Sequence, residues 1–159
     1  MNLIENLPIR GDLFISLDYH QGKGKELFFE QKNLIMSNAK RFLLSGIYLA
    51  GVTSDPIVAL KAGTGGCIDP QGLYPKTEDP DQTDLITPII SVPTVYVLDN
   101  PNIICTFLAD IDQSQANGQL ITEAGLFKAS GAIFNAKNHP GITKTSDFSI
   151  HYEWRIRFL

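Results

Sequence analysis

Phe148-Ser-Ile-His-Tyr-Glu-Trp-Arg-Ile-Arg-Phe158 decides the fold class of this chain. Phe148, Ile150, Tyr152, Trp154, Ile156 and Phe158 hold one set of alternate positions; Ser149, His151, Glu153, Arg155 and Arg157 hold the other. An extended backbone sends successive side chains to opposite faces, so this strict alternation predicts an antiparallel strand with one face on a core and one in water. Each large apolar side chain buried there contributes roughly 1.5–3 kcal/mol, which makes the strand a main structural member.

Upstream of it, Leu120–Ala136 (LITEAGLFKASGAIFNA) reads as a β-hairpin. Leu120, Ile121, Leu126, Phe127, Ile133 and Phe134 are strand formers, and Lys128-Ala129-Ser130-Gly131 supplies a loop with a residue able to take positive φ. Gly125 inside the first run predicts a bulge or a close backbone approach. Glu123 beside it is a candidate structural anchor, accepting hydrogen bonds from amides that such a bulge leaves unpaired.

Asp12–Phe29 is a second hairpin candidate, with its turn at Gln21–Gly24. Between Leu34 and Leu49 the period changes: Ala39, Phe42, Leu43 and Ile47 recur at three- and four-residue steps, which predicts a helix over about Asn38–Ser45. Ile57–Ala62 reads as a buried strand leading into a tight glycine turn. Asp84–Ile90 and Val92–Leu98 read as strands placed at edges or kinked by Pro88 and Pro93. Ile103–Ile111 is the most apolar strand candidate and is expected to be central. Residues 67–83 form a long loop rich in proline and acid, the kind that is functional, contact-making or mobile.

The 159 residues suffice for one core, and no composition break divides residues 1–159 into two domains. The charged share of 19% lies below the roughly 25% of typical soluble domains, consistent with a surface covered by neighbours. A net charge of −4 without basic runs argues against direct nucleic-acid binding. No apolar run approaches the ~18 residues of a membrane helix. The N-terminus lacks signal-peptide features, so a reducing cytoplasm is the expected place of synthesis. Cys67 and Cys105 have no metal-type spacing, and Cys105 reads as a small buried hydrophobe.

No set of residues assembles a catalytic, cofactor or metal site. His20, His139 and His151 share no ligand spacing, and all three read as surface or solvated residues. Gly63-Thr-Gly-Gly66 lacks the lysine and following helix of a phosphate loop and reads as a structural turn. Asp69, Glu78, Asp79, Asp81 and Asp84 lack calcium-loop spacing and read as a solvated acidic loop. A glycosidase-like pair, Asp110 with Glu123, has no accompanying sugar cleft in the sequence. Leu73 and Tyr74, apolar groups on a polar loop, are contact candidates. The N-terminal arm, residues 1–11, carries Leu3, Ile4, Leu7 and Ile9 with nothing local to bury against, and is expected to add to a neighbour as an extended strand.

Lys32-Asn-Leu-Ile-Met-Ser-Asn-Ala39, Ala59-Leu-Lys-Ala-Gly-Thr-Gly65, Asp81-Gln-Thr-Asp-Leu85, Ile121-Thr-Glu-Ala-Gly-Leu-Phe127, Phe134-Asn-Ala136 and Lys144 occur in an order that resembles the N-terminal attachment domain of phage tail-collar fibre proteins and related small virion proteins of tailed phages. The resemblance spans roughly Lys32–Phe158. Lys40 stands where the family usually has glycine, and the loop after Gly66 is long and acidic. The chain as given has no shaft after its aromatic strand, which favours a stand-alone tail, baseplate, neck or collar piece over a receptor-binding fibre.

The resemblance implies a non-enzymatic, homo-oligomeric structural protein of the virion, assembled in the host cytoplasm, whose partners are other virion proteins. The fold expected is mainly β: an antiparallel β-sandwich with one short α-helix and a long acidic loop. Alternatives are a capsid decoration protein and a carbohydrate-binding module, the latter requiring an exposed aromatic platform such as a solvent-facing Trp154.

Overall fold

The computed structural model describes residues 9–36, 55–99, 101–102 and 104–158. They form nine strands: β1 (Ile9–Tyr19), β2 (Gly24–Ile35), β3 (Ile57–Gly63), β4 (Pro88–Pro93), β5 (Val95–Asp99), β6 (Ile104–Ile111), β7 (Leu120–Lys128), β8 (Ile133–Thr143) and β9 (Phe148–Phe158). The protein is mainly β and every pairing is antiparallel. Among the described residues there is no helix, and the helix expected over Asn38–Ser45 lies outside them.

The strand order is β4-β3-β7-β8-β2-β1-β9-β6-β5, divided into two sheets that share β2. Up to Asn33, β2 pairs with β1; Leu34 and Ile35 then pair with Ala136 and Asn135 of β8. The two ends of the order, β4 and β5, are consecutive in sequence and separated by Thr94 alone. One residue spans only ~3.5 Å, so the order returns to its start at this corner, where the Thr94 amide donates to the Val58 carbonyl at 3.0 Å. Pro88 and Pro93 therefore stand in an edge strand, the position their missing donors allow.

The aromatic strand β9 lies between β1 and β6 with unbroken register, Leu13↔Trp154↔Phe107 at its middle. Ile150, Tyr152 and Trp154 are fully buried. On the opposite face Arg155 stacks 4.5 Å over Phe14 and bonds Glu153, and His151 meets Asp110 at 2.7 Å. The core joins this sheet, through Leu13, Ile15 and Ile111, to Leu60, Ile121, Leu126, Phe127 and Ile133 of the other.

Three expectations are corrected. β6 is next to the edge, and several of its residues are only partly buried; β7, buried along almost its whole length, is the central strand of its sheet. Residues 84–87 do not extend β4, because the amides of Leu85, Ile86 and Thr87 are taken by the carboxylates of Asp84 and Glu123 and not by a strand ladder. The pairing irregularities lie opposite the predicted bulge and not in it. Between the pairs Ile121↔Ile142 and Glu123↔Asn138, β7 contributes one residue and β8 three, His139-Pro140-Gly141. Gly125 is in register with both Lys61 and Ala136, and a Cβ there would stand 2.7 Å from the Asn135 carbonyl oxygen. Its glycine serves close approach.

Candidate functional site

Glu123 points from the middle of β7 into a place where three chain segments meet. One carboxylate oxygen accepts from the amides of Gly65 at 3.0 Å and Thr87 at 2.7 Å; the other accepts from Ile86 at 2.9 Å. The side chain is buried, so the ionised group is held by charge-assisted bonds to backbone donors that have no ladder partner. The neighbouring residue repeats the device: Thr122 Oγ1 accepts from the Gly66 amide at 2.9 Å. The backbones approach so closely that a Cβ on Gly66 would lie 2.2 Å from the Thr122 carbonyl oxygen, and one on Gly63 would lie 2.3 Å from that of Thr87. The glycine turn after β3 is thus cut to fit this anchor.

From that anchor the loop 67–83 projects, tied down along its length. Asp69 folds its tip: its carboxylate accepts from the amides of Gln71, Leu73 and Tyr74 at 2.7–3.1 Å. The Leu73 amide is the main reason the Asp69 carboxyl is held below the usual carboxylate range. Ile68 donates its amide to Tyr74 O at 2.8 Å, and Gly141, in the bulged part of β8, donates to Gly72 O at 2.7 Å. At the base, the Lys76 amide donates to Gly66 O and its ammonium to Gly65 O, both at 2.8 Å. Glu78 accepts from the Asn138 amide at 2.8 Å and pairs with Lys137 at 3.0 Å.

On this braced tip Ile68 is 75% exposed, and Leu73 and Tyr74 are each 64% exposed. Three large apolar groups are held in water by an ordered backbone, so a contact made there would order little that is not ordered already.

Comparison with protein-family models, with curated proteins and with solved structures finds no match for this chain. The reading of the site therefore rests on its own chemistry.

That chemistry separates the sequence candidates. Glu123 and Gly125 stand together in β7, and Leu73 and Tyr74 share the loop tip; Leu3 and Ile4 lie outside the described residues, and Ile9–Gly11, assigned to the arm, already belong to β1. Asp110 is in the other sheet from Glu123 and is bound to His151, so the two acids form no pair. Asp69 and Glu78 are structural acceptors and not a solvated acidic face. Among the described residues no three histidine, cysteine or acidic side chains gather as a metal group. Both cysteines are free, and Cys105 is partly exposed. Trp154 is fully buried and offers no aromatic platform.

His139 is the main correction. Expected at the surface in a turn, it is fully buried within β8, its ring 5.8 Å from that of Phe29 and 6.4 Å from that of Tyr152. Its Nδ1 donates to the Pro140 carbonyl at 2.8 Å. Pro140-Gly141 inside a strand-like run is the signal that would have placed it, since both residues mark bulges and a bulge re-aims its neighbours. Burial pushes the imidazole pKa down to about 4. The unfolded chain therefore binds a proton near pH 6.5 that the folded one refuses until about pH 4. Stability from neutral His139 is complete above pH 6.5 and is lost as pH falls from there to about 4, by about 3 kcal/mol in all. Urea unfolding of the wild type and of His139→Gln at pH 7 and pH 4.5 should show the wild type losing more stability over that interval.

Lys144 is buried too, its ammonium donating to Thr145 O at 2.6 Å, Asn117 Oδ1 at 3.0 Å and Gln113 O at 3.3 Å. It staples the 112–118 turn to the connection that leads from β8 across to β9 in the other sheet. Burial lowers its pKa, against the opposing pull of Asp112.

Proposed function

We propose that this chain is a non-enzymatic structural protein of a tailed-bacteriophage virion, a tail, baseplate, neck or collar component whose two sheets pack as a β-sandwich scaffold and whose loops attach a fibre or a neighbouring ring. The observation that carries the reading is the braced loop: the buried Glu123 carboxylate, the Asp69 carboxylate and the ties of Gly72, Lys76 and Glu78 hold an apolar tip in water, a construction suited to docking. Glu123 also links two of the segments that carry the family resemblance, the one ending at Gly65 and its own, and bonds Ile86 and Thr87 directly after a third that ends at Leu85.

The test uses particles of the virus that encodes the protein, separated into heads and tails and probed for the chain. Recovery with tails supports the reading; recovery with heads alone makes it a capsid decoration protein, and absence from both overturns the virion assignment. The loop is tested by replacing Leu73 and Tyr74 with Asp. Both side chains are exposed, so folding stability should change by no more than about 0.5 kcal/mol, while incorporation into tails is lost. Normal incorporation of that variant would remove the loop from the interface.

A further inference from the structure

β5 is the strand that leaves most apolar surface uncovered. Val95, Tyr96, Val97 and Leu98 are each 57–64% exposed. β5 pairs with β6 without a register shift, Val95↔Leu108 through Asp99↔Ile104, and among the described residues nothing pairs its other edge. The opposite end of the strand order is guarded, since β4 begins and ends with proline. β5 carries no proline, lysine or bulge, the devices by which edge strands avoid adding another strand. Tyr96 and Leu98 border a groove of about 360 Å³ with Cys105, Phe107, Phe134 and Ile156; Val95, Val97 and Asp99 alternate to the other face.

We propose that β5 is a dimerisation edge, pairing antiparallel with β5 of a second copy about a two-fold axis at Val97. In this register Val97 meets its counterpart, Tyr96 of each copy lies opposite Leu98 of the other, and Asp99 lies opposite Val95. The charges select this arrangement: Asp99 is the strand's one acidic or basic side chain, and antiparallel pairing sends the two copies of it to opposite ends, whereas parallel pairing would set them side by side. An isologous contact closes after two copies. The Tyr96–Leu98 pairs join the grooves of both copies into one apolar strip. Exposed apolar patches of a few hundred Å² mark contact sites, and a specific interface needs roughly 1,000 Å² in total, to which both β5 strands and both groove rims contribute. The proposal deepens the assembly reading and rests on it only for a place in the particle. Dimerisation is measured in solution, so either can fail without the other.

The experiment is the solution mass of the full chain over a concentration series. Twice the 17.5 kDa chain mass is expected, with Val97→Lys raising the dissociation constant at least about tenfold, because two lysines then face each other, and leaving the circular dichroism spectrum unchanged. In a C67S/C105S background, Val97→Cys should oxidise to a covalent dimer, since opposed Cα atoms lie about 4.5–5.5 Å apart. Val95→Cys should not, because the two copies of that residue are four strand positions, about 13 Å, apart. A monomer at every concentration overturns the proposal, including the case in which residues 37–54 of the same chain cover the groove. So does a dimer indifferent to Val97→Lys, equal crosslinking through residue 95, or a dimer that fails to crosslink through residue 97 and is lost when residues 1–8 are removed, which would assign the edge to an exchanged arm.

Discussion

Glu123→Ala is expected to destabilise the protein by about 3–5 kcal/mol, read as a fall in the urea midpoint at constant slope. The substitution removes one carboxylate and strands three backbone amides, those of Gly65, Ile86 and Thr87. Hydrogen bonds to charged groups contribute roughly 1.5–3 kcal/mol each. The total falls short of three full bonds because Ile86 and Thr87 are at the surface, where water reaches their amides once the side chain is gone. With a net stability of about 5–15 kcal/mol for typical domains, the loss is a large share of what holds this one folded.

Glu123→Gln separates charge from shape. Its carbonyl oxygen can keep the pair of bonds to Gly65 and Thr87, but its NH₂ then faces the Ile86 amide, donor against donor. Stability should therefore rank Glu above Gln above Ala. A Glu123→Ala protein that melts like the wild type but fails to assemble would make Glu123 a contact residue and remove the anchor from the account of the loop.

The strands were legible in the sequence wherever one face is buried and the other wet. β9 announces itself because Phe148 through Phe158 alternate without a break, and the β1–β2 and β7–β8 turns because glycine stands where positive φ is needed, as at Gly22 and Gly131. Glu123 was legible as an anchor but its donors were not: they come from residues 58, 37 and 36 positions away along the chain, brought in by β3 pairing with β7 and β4 pairing with β3. Sequence patterns report local period, and a carboxylate's long-range partners leave no local period. His139 was misplaced for a related reason. A proline after a histidine reads as a turn, yet two extra residues absorbed in one strand opposite Thr122 keep the ladder going and turn the ring inward. The acidic loop misled through composition: Asp69 and Glu78 look solvated in a list of charges, and their real partners are backbone amides and Lys137.

Truncation after Asp147, which removes β9, is expected to abolish folding altogether. β9 is the shared partner of β1 and β6, so its loss breaks two ladders at once and leaves β6 and β5 without a connection to the rest of their sheet. It also removes Phe148, Ile150, Tyr152, Trp154 and Ile156, all buried. At roughly 1.5–3 kcal/mol each, these five together are worth about as much as the whole ~5–15 kcal/mol margin of a typical domain. The expected product lacks the sharp cooperative melt of the full chain and is degraded rapidly by protease. A graded version keeps the chain intact: Trp154→Ala, in the middle of the strand, should cost about 3–5 kcal/mol, whereas Arg157→Ala on the wet face should cost far less, because its 3.8 Å contact with Asp12 leaves that acid its closer bond to Arg10. Equal losses from the two substitutions would mean that the alternation which identifies β9 does not describe where its energy lies.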